Sequence, residues 1–291
     1  MTTIKLDVIL RTCDRVYTVH ASSQDKNNMR IVGPQFSKLD IMLRCINSLI
    51  VSMNLIDSKM ADLRLIVIDQ NSSKDGISKI KELIKSCKFS QQFIFSDGAG
   101  NGDSLKTCYE WARDNGRDLL FFVEDDYLHD PACISEMLVD LEFFKFKLQH
   151  EVALFPYDNI DNYMQREKNS IPCFIALGSR RHWRTVNNAT STFLCSKNIL
   201  ERYWFLFERM MQDGKDPLVC EDNTTNLIWS APYRKAGGAY LLSPIPTLSL
   251  HFHFKEHLSP FVDWRRWWDQ SCLYPTEEDF PARRLTRKAS V

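Results

Sequence analysis

The sequence lacks the features of several protein classes. No apolar stretch approaches the ~20 residues that a membrane-spanning helix needs. The N-terminus, "MTTIKLDVILRTCDR", has no charged region followed by a long apolar segment and a small-residue cleavage site, so we expect no signal peptide. The 9 cysteines form no CxxC pair and no zinc-type spacing. We therefore expect reduced thiols, no structural zinc and a cytoplasmic location.

Net charge is also absent. The chain has 37 Lys and Arg residues and 37 Asp and Glu residues, which gives a formal charge of zero. A general nucleic-acid binder normally carries a basic excess, so we expect no nucleic-acid partner. The apolar fraction of 44% and the charged fraction of 25% are those of an ordinary globular protein.

No linker rich in Gly, Ser or Pro, no internal repeat and no low-complexity segment divides the 291 residues. We therefore expect one continuous domain with two halves, residues 1–150 and 151–291. The basic end of the sequence, from about residue 280 to 291, is expected to be disordered.

Apolar strands alternate with helices through the first half. Apolar runs predict strands at 4–11, 63–69, 91–96 and 118–124. Helical spacing of apolar residues predicts helices at 37–53, 75–87, 103–114 and 131–144. We expect Ser37 to cap the first of these helices and Pro131 to lie in the first turn of the fourth. The pattern predicts an α/β fold with a mostly parallel sheet and helices on both faces.

The regularity ends near residue 150. Short strands are predicted in "VALFPY", "CFIALG", "TFLCS", "AYLLS" and "LSLHFHF", with helices at 196–212 and 221–230. We expect this mixed α/β half to complete the sheet and to form a wall of the site. Ligands of such sheets bind beyond the carboxyl ends of the strands, where the polar segments "RTCDR", "DQNSSKDG" and "EDDYLHD" would meet.

Three acidic residues, Glu124, Asp125 and Asp126, end the fourth apolar strand. Adjacent carboxylates repel one another. A divalent cation offsets that repulsion, and Mg²⁺ or Mn²⁺ takes carboxylate and phosphate oxygens as ligands. On an extended chain Glu124 and Asp126 would point one way and Asp125 the other. The alternative is a solvated acidic turn in which Asp130 caps the next helix.

The segment "FFVEDDYLHDP" resembles the acidic nucleotide-sugar motif, often written DxD, of GT-A glycosyltransferases. "VILRTCDR" is similar to the first strand of those enzymes, and "LIVIDQNSSKDG" is similar to the second strand of family 2 members. The resemblance covers roughly residues 4–135. It departs at Arg11, where proline is usual, and at Gln70, which replaces an acid that often holds the base.

The resemblance implies a GT-A fold whose first half binds a nucleotide-diphosphate sugar. Asp126 would bind the metal directly, Glu124 would help to hold it, and Asp125 would face the ribose. The base and ribose pocket would be lined by polar residues at the ends of the first two strands, namely Thr12, Asp14, Arg15, Asp69 and Asn71.

A glycine-rich segment, "SDGAGNGDSLK" (96–106), precedes the third helix. Its backbone N–H groups could contact phosphate, and Lys106 could reach a phosphate as well. The alternative is a flexible turn in which Asp103 or Ser104 caps the helix, with Lys106 on a solvated helix face.

The pair Glu221 and Asp222 lies in "LVCEDNTTNLIW". Family 2 enzymes carry an acid pair at this place, and the resemblance implies that Asp222 is the general base, with Glu221 as second choice. An inverting transfer needs a carboxylate to take the acceptor hydroxyl proton. The alternative is a pair of acids that caps a helix.

Two further segments contain candidate site residues. In "LSLHFHFKEH", His251 and His253 share one strand face, and the resemblance implies that His253 could bind the metal and Lys255 the diphosphate; a polar strand edge is the alternative. In "FVDWRRWWDQ", three tryptophans could stack on sugar rings, cover the core, or form a peripheral membrane contact with the arginines.

Together these observations predict a metal-dependent glycosyltransferase that moves a hexosyl or N-acetylhexosaminyl group to an acceptor hydroxyl, with inversion favoured. The acceptor would be a glycan, a polysaccharide or a lipid-linked molecule. A nucleotidyltransferase and a non-catalytic nucleotide-sugar-binding protein are the rival interpretations, because fold alone does not determine activity.

Overall fold

The computed structural model describes residues 3–15, 36–98, 100–158, 173–189, 191–212, 224–234, 237–252, 258–259 and 262–272. Its first half contains β1 (Ile4–Thr12), α1 (Lys38–Asn54), β2 (Ala61–Asp69), α2 (Lys74–Ile84), β3 (Ser90–Phe95), α3 (Asn101–Asn115), β4 (Leu119–Glu124), β5 (Tyr127–His129) and α4 (Cys133–Leu148). The second half contains β6 (Val152–Leu154), β7 (Ile175–Leu177), β8 (His182–Val186), β9 (Phe193–Ser196), α5 (Lys197–Arg202), α6 (Trp204–Met210), α7 (Asn226–Ser230), a 3₁₀ turn (Ala231–Arg234), β10 (Tyr240–Ile245), β11 (Ser249–His251) and α8 (Trp264–Gln270).

A nine-stranded sheet organises the described residues, in the order β3-β2-β1-β4-β9-β6-β10-β8-β7. The four strands of the first half are parallel to one another. Among the described strands of this sheet, β8 and β9 run against the rest. The prediction of an α/β fold with a mostly parallel sheet and a mixed second half is confirmed.

Helices cover both faces of the sheet because its central strands are apolar on both sides. In β4, Leu119, Phe121 and Val123 pack with α1, α2 and α4. Leu120 and Phe122 point to the opposite face and pack with α3 and with helices of the second half. Each face therefore buries its own apolar cluster, as a parallel sheet requires.

One sheet runs through both predicted halves, since β9 and β6 continue it beyond β4. The boundary at residue 150 stays a prediction, and the end of the chain from 280 to 291 lies outside the described residues.

Helix boundaries agree with the sequence at α1 and differ at α3 and α4. Ser37 caps α1, and its side chain accepts a hydrogen bond from the Asp40 amide, an arrangement worth ~0.5–2 kcal/mol. In contrast, α3 begins at Asn101 with Gly100 as the N-cap, so the alternative in which Asp103 or Ser104 caps this helix is wrong. Asp103 instead accepts a hydrogen bond from the Gly100 amide from inside the helix. Likewise α4 begins at Cys133, so Pro131 precedes its first turn.

The structure contains two strands that the sequence did not predict, and one of them, β5, is important for the site. The strand β8 inserts between β10 and β7. The short strand β5 follows the acidic residues and pairs antiparallel with β11, which forms a separate two-stranded sheet. This pairing carries β11 of the second half to the end of β4.

The tryptophans of α8 pack against the molecule. Trp267 and Trp268 are buried, and Trp268 stacks on Phe252 with a centroid distance of 4.8 Å. The Arg44 guanidinium of α1 lies 4.3 Å from the Trp268 ring centroid. Of the three interpretations for this segment, core packing describes these two residues. Within the described ranges, no helix combines the length and apolarity that a membrane crossing needs.

Candidate functional site

The candidate site begins where β1, β2 and β4 end. The parallel register places Thr12 beside Asp69 and Arg11 beside Glu124. The segments that follow these strands therefore leave the sheet at one edge. The convergence of the three polar segments at this edge follows directly from the pairing.

Asp69 ties the first two of these segments together. Its side chain is fully buried. One carboxylate oxygen accepts a hydrogen bond from the Thr12 hydroxyl at 2.9 Å, and the other accepts one from the Ser72 amide at 3.2 Å. Thr12 and Asp69 thus hold the segments that follow β1 and β2 together at this edge of the sheet.

Asp14 links the segment after β1 to the start of α2. It accepts a hydrogen bond from the Ser73 amide at 2.8 Å and another from the Ser73 hydroxyl. A Cβ atom at Gly76 would lie 2.2 Å from the Asp14 carboxylate, so only glycine fits there while Asp14 holds this position. Arg15, the next residue, is exposed.

The side chains that follow β2 hold the glycine-rich segment. The Gln70 side-chain amide donates to the Gly100 carbonyl at 2.5 Å, and the Asn71 side-chain amide donates to the Gly98 carbonyl at 2.9 Å. Asn71 has a φ of 56°, in the left-handed region that asparagine tolerates better than most residues. Lys106 is exposed on α3.

The three acidic residues at the end of β4 each have a different basic partner. Glu124 pairs with Arg11 at 2.5 Å, Asp125 lies 3.9 Å from the Lys38 ammonium, and Asp126 lies 3.1 Å from Nε2 of His251. The prediction assumed one extended strand through all three acids. The strand ends at Glu124, and residues 125–126 form a turn before β5, so the simple alternation of side chains does not apply.

Asp125 is the acid whose protonation the fold alters most clearly. Burial, reinforced by the neighbouring charge of Asp126, raises the pKa of its carboxyl to about 6 against the lowering effects of Lys38, the Cys13 amide and Arg11. The Cys13 amide donates to the Asp125 carboxylate at 2.7 Å. An acid with this pKa changes its charge close to neutral pH, a property that is frequent at functional sites.

The sequence offered His251 only as one of a pair with His253, and the resemblance favoured His253 as the metal ligand. The His251 ring stacks on Tyr127 at 4.9 Å with an interplanar angle of 9°, because β11 pairs with β5 in the register His251 to Tyr127. Burial lowers the pKa of His251, but the charge and hydrogen bond of Asp126 outweigh this effect, and the net pKa is raised. The only signal in the sequence was the alternation of His251 and His253, and nothing local indicated the partner strand.

Three other predicted site residues, Glu221, Asp222 and His253, lie outside the described residues, as does Lys255. Their roles stay predictions.

The side chains at this edge have the chemistry of a partial metal site. Asp126 and His251 present a carboxylate oxygen and an imidazole nitrogen side by side. In the part of the chain that the structure describes, no group of three or more His, Cys, Asp or Glu side chains is arranged to hold a metal. A cation at Asp126 would therefore need further ligands, and Mg²⁺-type ions commonly take them from water and substrate phosphates.

No protein-family model matches the sequence, and a comparison with curated proteins finds no match. Solved structures do resemble the fold. TarS 1–349 from S. aureus has 12% identity over 82% of this chain, with a TM-score of 0.46, and this chain spans 60% of its length. The mannosyltransferase PcManGT from Pyrobaculum calidifontis, in complex with GDP-Man and Mn²⁺, has 11% identity over 93% of this chain and 62% of its own, with a TM-score of 0.49.

A UDP-glucose pyrophosphorylase complexed with UDP-glucose has 9% identity over 87% of this chain and 94% of its own, with a TM-score of 0.40. With identities of 9–12% and TM-scores of 0.40–0.49, these likenesses assign neither a family nor an activity to the chain.

Proposed function

We propose that this protein is a metal-dependent glycosyltransferase of GT-A fold. It transfers a sugar, of hexosyl or N-acetylhexosaminyl type, from a nucleotide-diphosphate sugar to an acceptor hydroxyl. The observation that carries the proposal is the meeting of three polar strand ends with an Asp126–His251 pair at one edge of the sheet.

The donor nucleotide would bind between the segments that follow β1 and β2. Arg15 and Asn71 are exposed at the ends of these segments, and the buried Asp125 carboxylate accepts a hydrogen bond from the Cys13 amide of the first segment. Lys106, exposed on α3, is proposed to meet phosphate. Thr12, Asp14 and Asp69 would act by holding the two segments in shape, since their side chains already bond to one another or to the turn at residues 72–73.

Asp126 and His251 would hold Mn²⁺ or Mg²⁺ together with phosphate oxygens of the donor. When bound, such a cation neutralises charge that develops on the departing diphosphate. The protein's own contribution is to align the donor and the acceptor, which removes much of the entropic part of the barrier.

Asp222 is proposed as the general base that takes the proton of the acceptor hydroxyl, with Glu221 as the alternative. The support is the resemblance of "LVCEDNTTNLIW" to family 2 enzymes and the need of an inverting transfer for such a base. A retaining mechanism would not need it. The acceptor is proposed to be a glycan, a polysaccharide or a lipid-linked molecule, and a cytoplasmic location stays part of the proposal.

A thermal-shift screen tests this function directly. UDP, GDP, CMP and dTDP sugars are added with and without Mn²⁺, because a ligand that binds only the native state raises its stability by mass action. The stabilising donor is then incubated with candidate acceptors, and the released nucleotide and transferred sugar are measured. Stabilisation without sugar release indicates a binding protein, and diphosphate release from a nucleoside triphosphate indicates a nucleotidyltransferase.

A further inference from the structure

Arg11 lies where β1 ends beside β4, and the register places it opposite Glu124. Its Nη2 atom lies 2.5 Å from the Glu124 carboxylate, and the two side chains are 13% and 23% exposed. The limited exposure means that water screens this ion pair less than it would a surface pair. Arginine also keeps its charge under all ordinary conditions, so the pairing does not depend on pH through Arg11.

The other arm of the same guanidinium reaches α3. Nη1 of Arg11 donates to the Ser104 hydroxyl at 3.0 Å and to the side-chain carbonyl of Asn101. Arg11 therefore joins the end of β4 to the first turn of the helix that follows the glycine-rich segment. A lysine could supply the charge but not the two separate arms of this contact.

The basic partners of the three acidic residues differ in how tightly they are held and in whether they can bind a metal. Lys38 is 3.9 Å from Asp125 and its side chain is 32% exposed, and the His251 ring on Asp126 is itself a possible metal ligand. Arginine is not a metal ligand, and Arg11 is fixed by three neighbours. Of the three acids, Glu124 is therefore the one that pairs with a side chain unable to bind a metal and held in place by further neighbours.

We propose that Arg11 is a positioning residue that withdraws Glu124 from the cation and leaves the cation to Asp126 and His251. This inference rests on the proposed function. It assigns Glu124 a structural partner in place of the metal role that the sequence motif implied. It also gives a reason for arginine at a position where the resembling enzymes usually have proline.

Mn²⁺ binding separates these roles. Free Mn²⁺ is measured by its electron paramagnetic resonance signal, first with Mn²⁺ alone and then with inorganic pyrophosphate, which supplies a diphosphate without a base. Glu124→Gln should bind Mn²⁺ as the wild-type protein does. Asp126→Asn should bind it about tenfold more weakly or worse, in the range seen when groups around a metal are removed. Glu142→Gln, at an exposed acid of α4, is the matched control.

Substitution of Arg11 by an uncharged residue should strengthen Mn²⁺ binding, whereas substitution of Asp126 should weaken it. Arg11→Met releases Glu124 and should tighten the binding of Mn²⁺ alone, because a second carboxylate becomes available besides that of Asp126. The double variant Arg11→Met with Glu124→Gln should return to wild-type affinity. Arg11→Lys keeps the charge and should not tighten Mn²⁺ binding, although it should lower the melting temperature through the lost contacts to α3.

The ion pair is also tested without any metal. In urea denaturation, Arg11→Met and Glu124→Gln should show coupling, with the double variant more stable than the sum of the single losses predicts. Additive losses would contradict the pairing.

The metal results separate the two proposals. If the wild-type protein binds Mn²⁺ but Glu124→Gln loses it as Asp126→Asn does, this inference is wrong and the proposed function stands. If the wild-type protein binds no Mn²⁺ in either condition, the proposed function fails, and this inference fails with it.

Discussion

His129 provides a prediction whose size follows from the structure. The residue lies on β5, is 1% exposed, and its Nδ1 lies 2.6 Å from the Ser249 hydroxyl of β11. Within the described residues, Nε2 has no hydrogen-bond partner. Burial lowers the pKa of His129 from 6.5 to about 3, because a charged imidazole would lose its hydration there.

The sign of the effect follows from proton linkage. Between pH 6.5 and about 3, the unfolded chain binds a proton at His129 that the folded protein does not. The contribution of neutral His129 to the free energy of unfolding is therefore fully present above pH 6.5, and it is lost as the pH falls from 6.5 to about 3. The full loss is ~5 kcal/mol, and at about pH 5 it is already ~2 kcal/mol.

The consequence extends to the candidate site. His129 pairs with Ser249, and two residues further along the same strands His251 pairs with Tyr127. Opening of this two-stranded sheet would move His251 away from Asp126. We therefore expect acid to weaken cation binding together with stability.

The assay compares the wild-type protein with His129→Asn in urea, followed by tryptophan fluorescence, at about pH 7 and about pH 5. Asparagine retains a polar atom for Ser249 but cannot titrate. The wild-type protein should lose ~2 kcal/mol more than the variant between the two conditions. His182→Asn, at an exposed histidine, is the matched control and should behave as the wild-type protein does. Parallel losses in wild type and His129→Asn would refute the reasoning, as would an NMR titration of His129 in the native state near pH 6.5.

Three further predictions concern the site. His251→Phe keeps the stacking on Tyr127 but removes the nitrogen, so Mn²⁺ affinity should fall ~10–100-fold while the melting temperature changes little; unchanged affinity would exclude His251 as a ligand. Asp69→Ala removes a buried acceptor of two hydrogen bonds and should lower the free energy of unfolding in urea by ~3 kcal/mol or more, and nucleotide binding should weaken as a consequence. A variant as stable as the wild-type protein would contradict the assigned contacts. Asp222→Asn should slow sugar transfer by ~10²–10⁴ while donor binding survives, with Glu221→Gln as the milder control; if neither change slows transfer, the pair is not the base.

Local sequence patterns predicted the part of the fold whose information is local. The parallel strands of the first half are continuous apolar runs, and apolar residues at helical spacing mark α1 with Ser37 before it. Because strand ends of a parallel sheet share one edge, the sequence alone was enough to bring together the polar segments after β1, β2 and β4. The same reasoning located Thr12, Asp69 and the acidic residues at that edge.

These local patterns could not predict which distant strands pair with each other. β5 has three residues, too few for a recognisable period, and its partner β11 lies more than a hundred residues away in sequence. The proximity of His251 to Asp126 depends on that pairing and on the hydrogen bond from the Phe252 amide to the Asp126 carbonyl that continues it. The N-cap of α3 was missed for a different reason, since Gly100 has no side chain to signal a cap and Asp103 acts from within the helix.

The pairing of Arg11 with Glu124 was predictable only in part. Both residues end apolar strands, and the parallel order of β1 and β4 would place them side by side if the register were known. Because register follows from the hydrophobic pattern of whole strands, neither residue signals it locally. The motif alone therefore suggested a metal role for Glu124.

Mn²⁺-dependent nucleotide binding by Asp126→Asn tests the central claim most directly. The nucleoside diphosphate that stabilises the wild-type protein most is titrated calorimetrically, with and without Mn²⁺, into wild type, Asp126→Asn and the control Glu142→Gln. The claim predicts that Mn²⁺ tightens binding to wild type and control, and that Asp126→Asn binds the nucleotide equally weakly with and without the ion while its melting temperature shows an intact fold. If Asp126→Asn keeps the full Mn²⁺ enhancement, the acidic end of β4 is not a cation site, and the proposed function loses its main support.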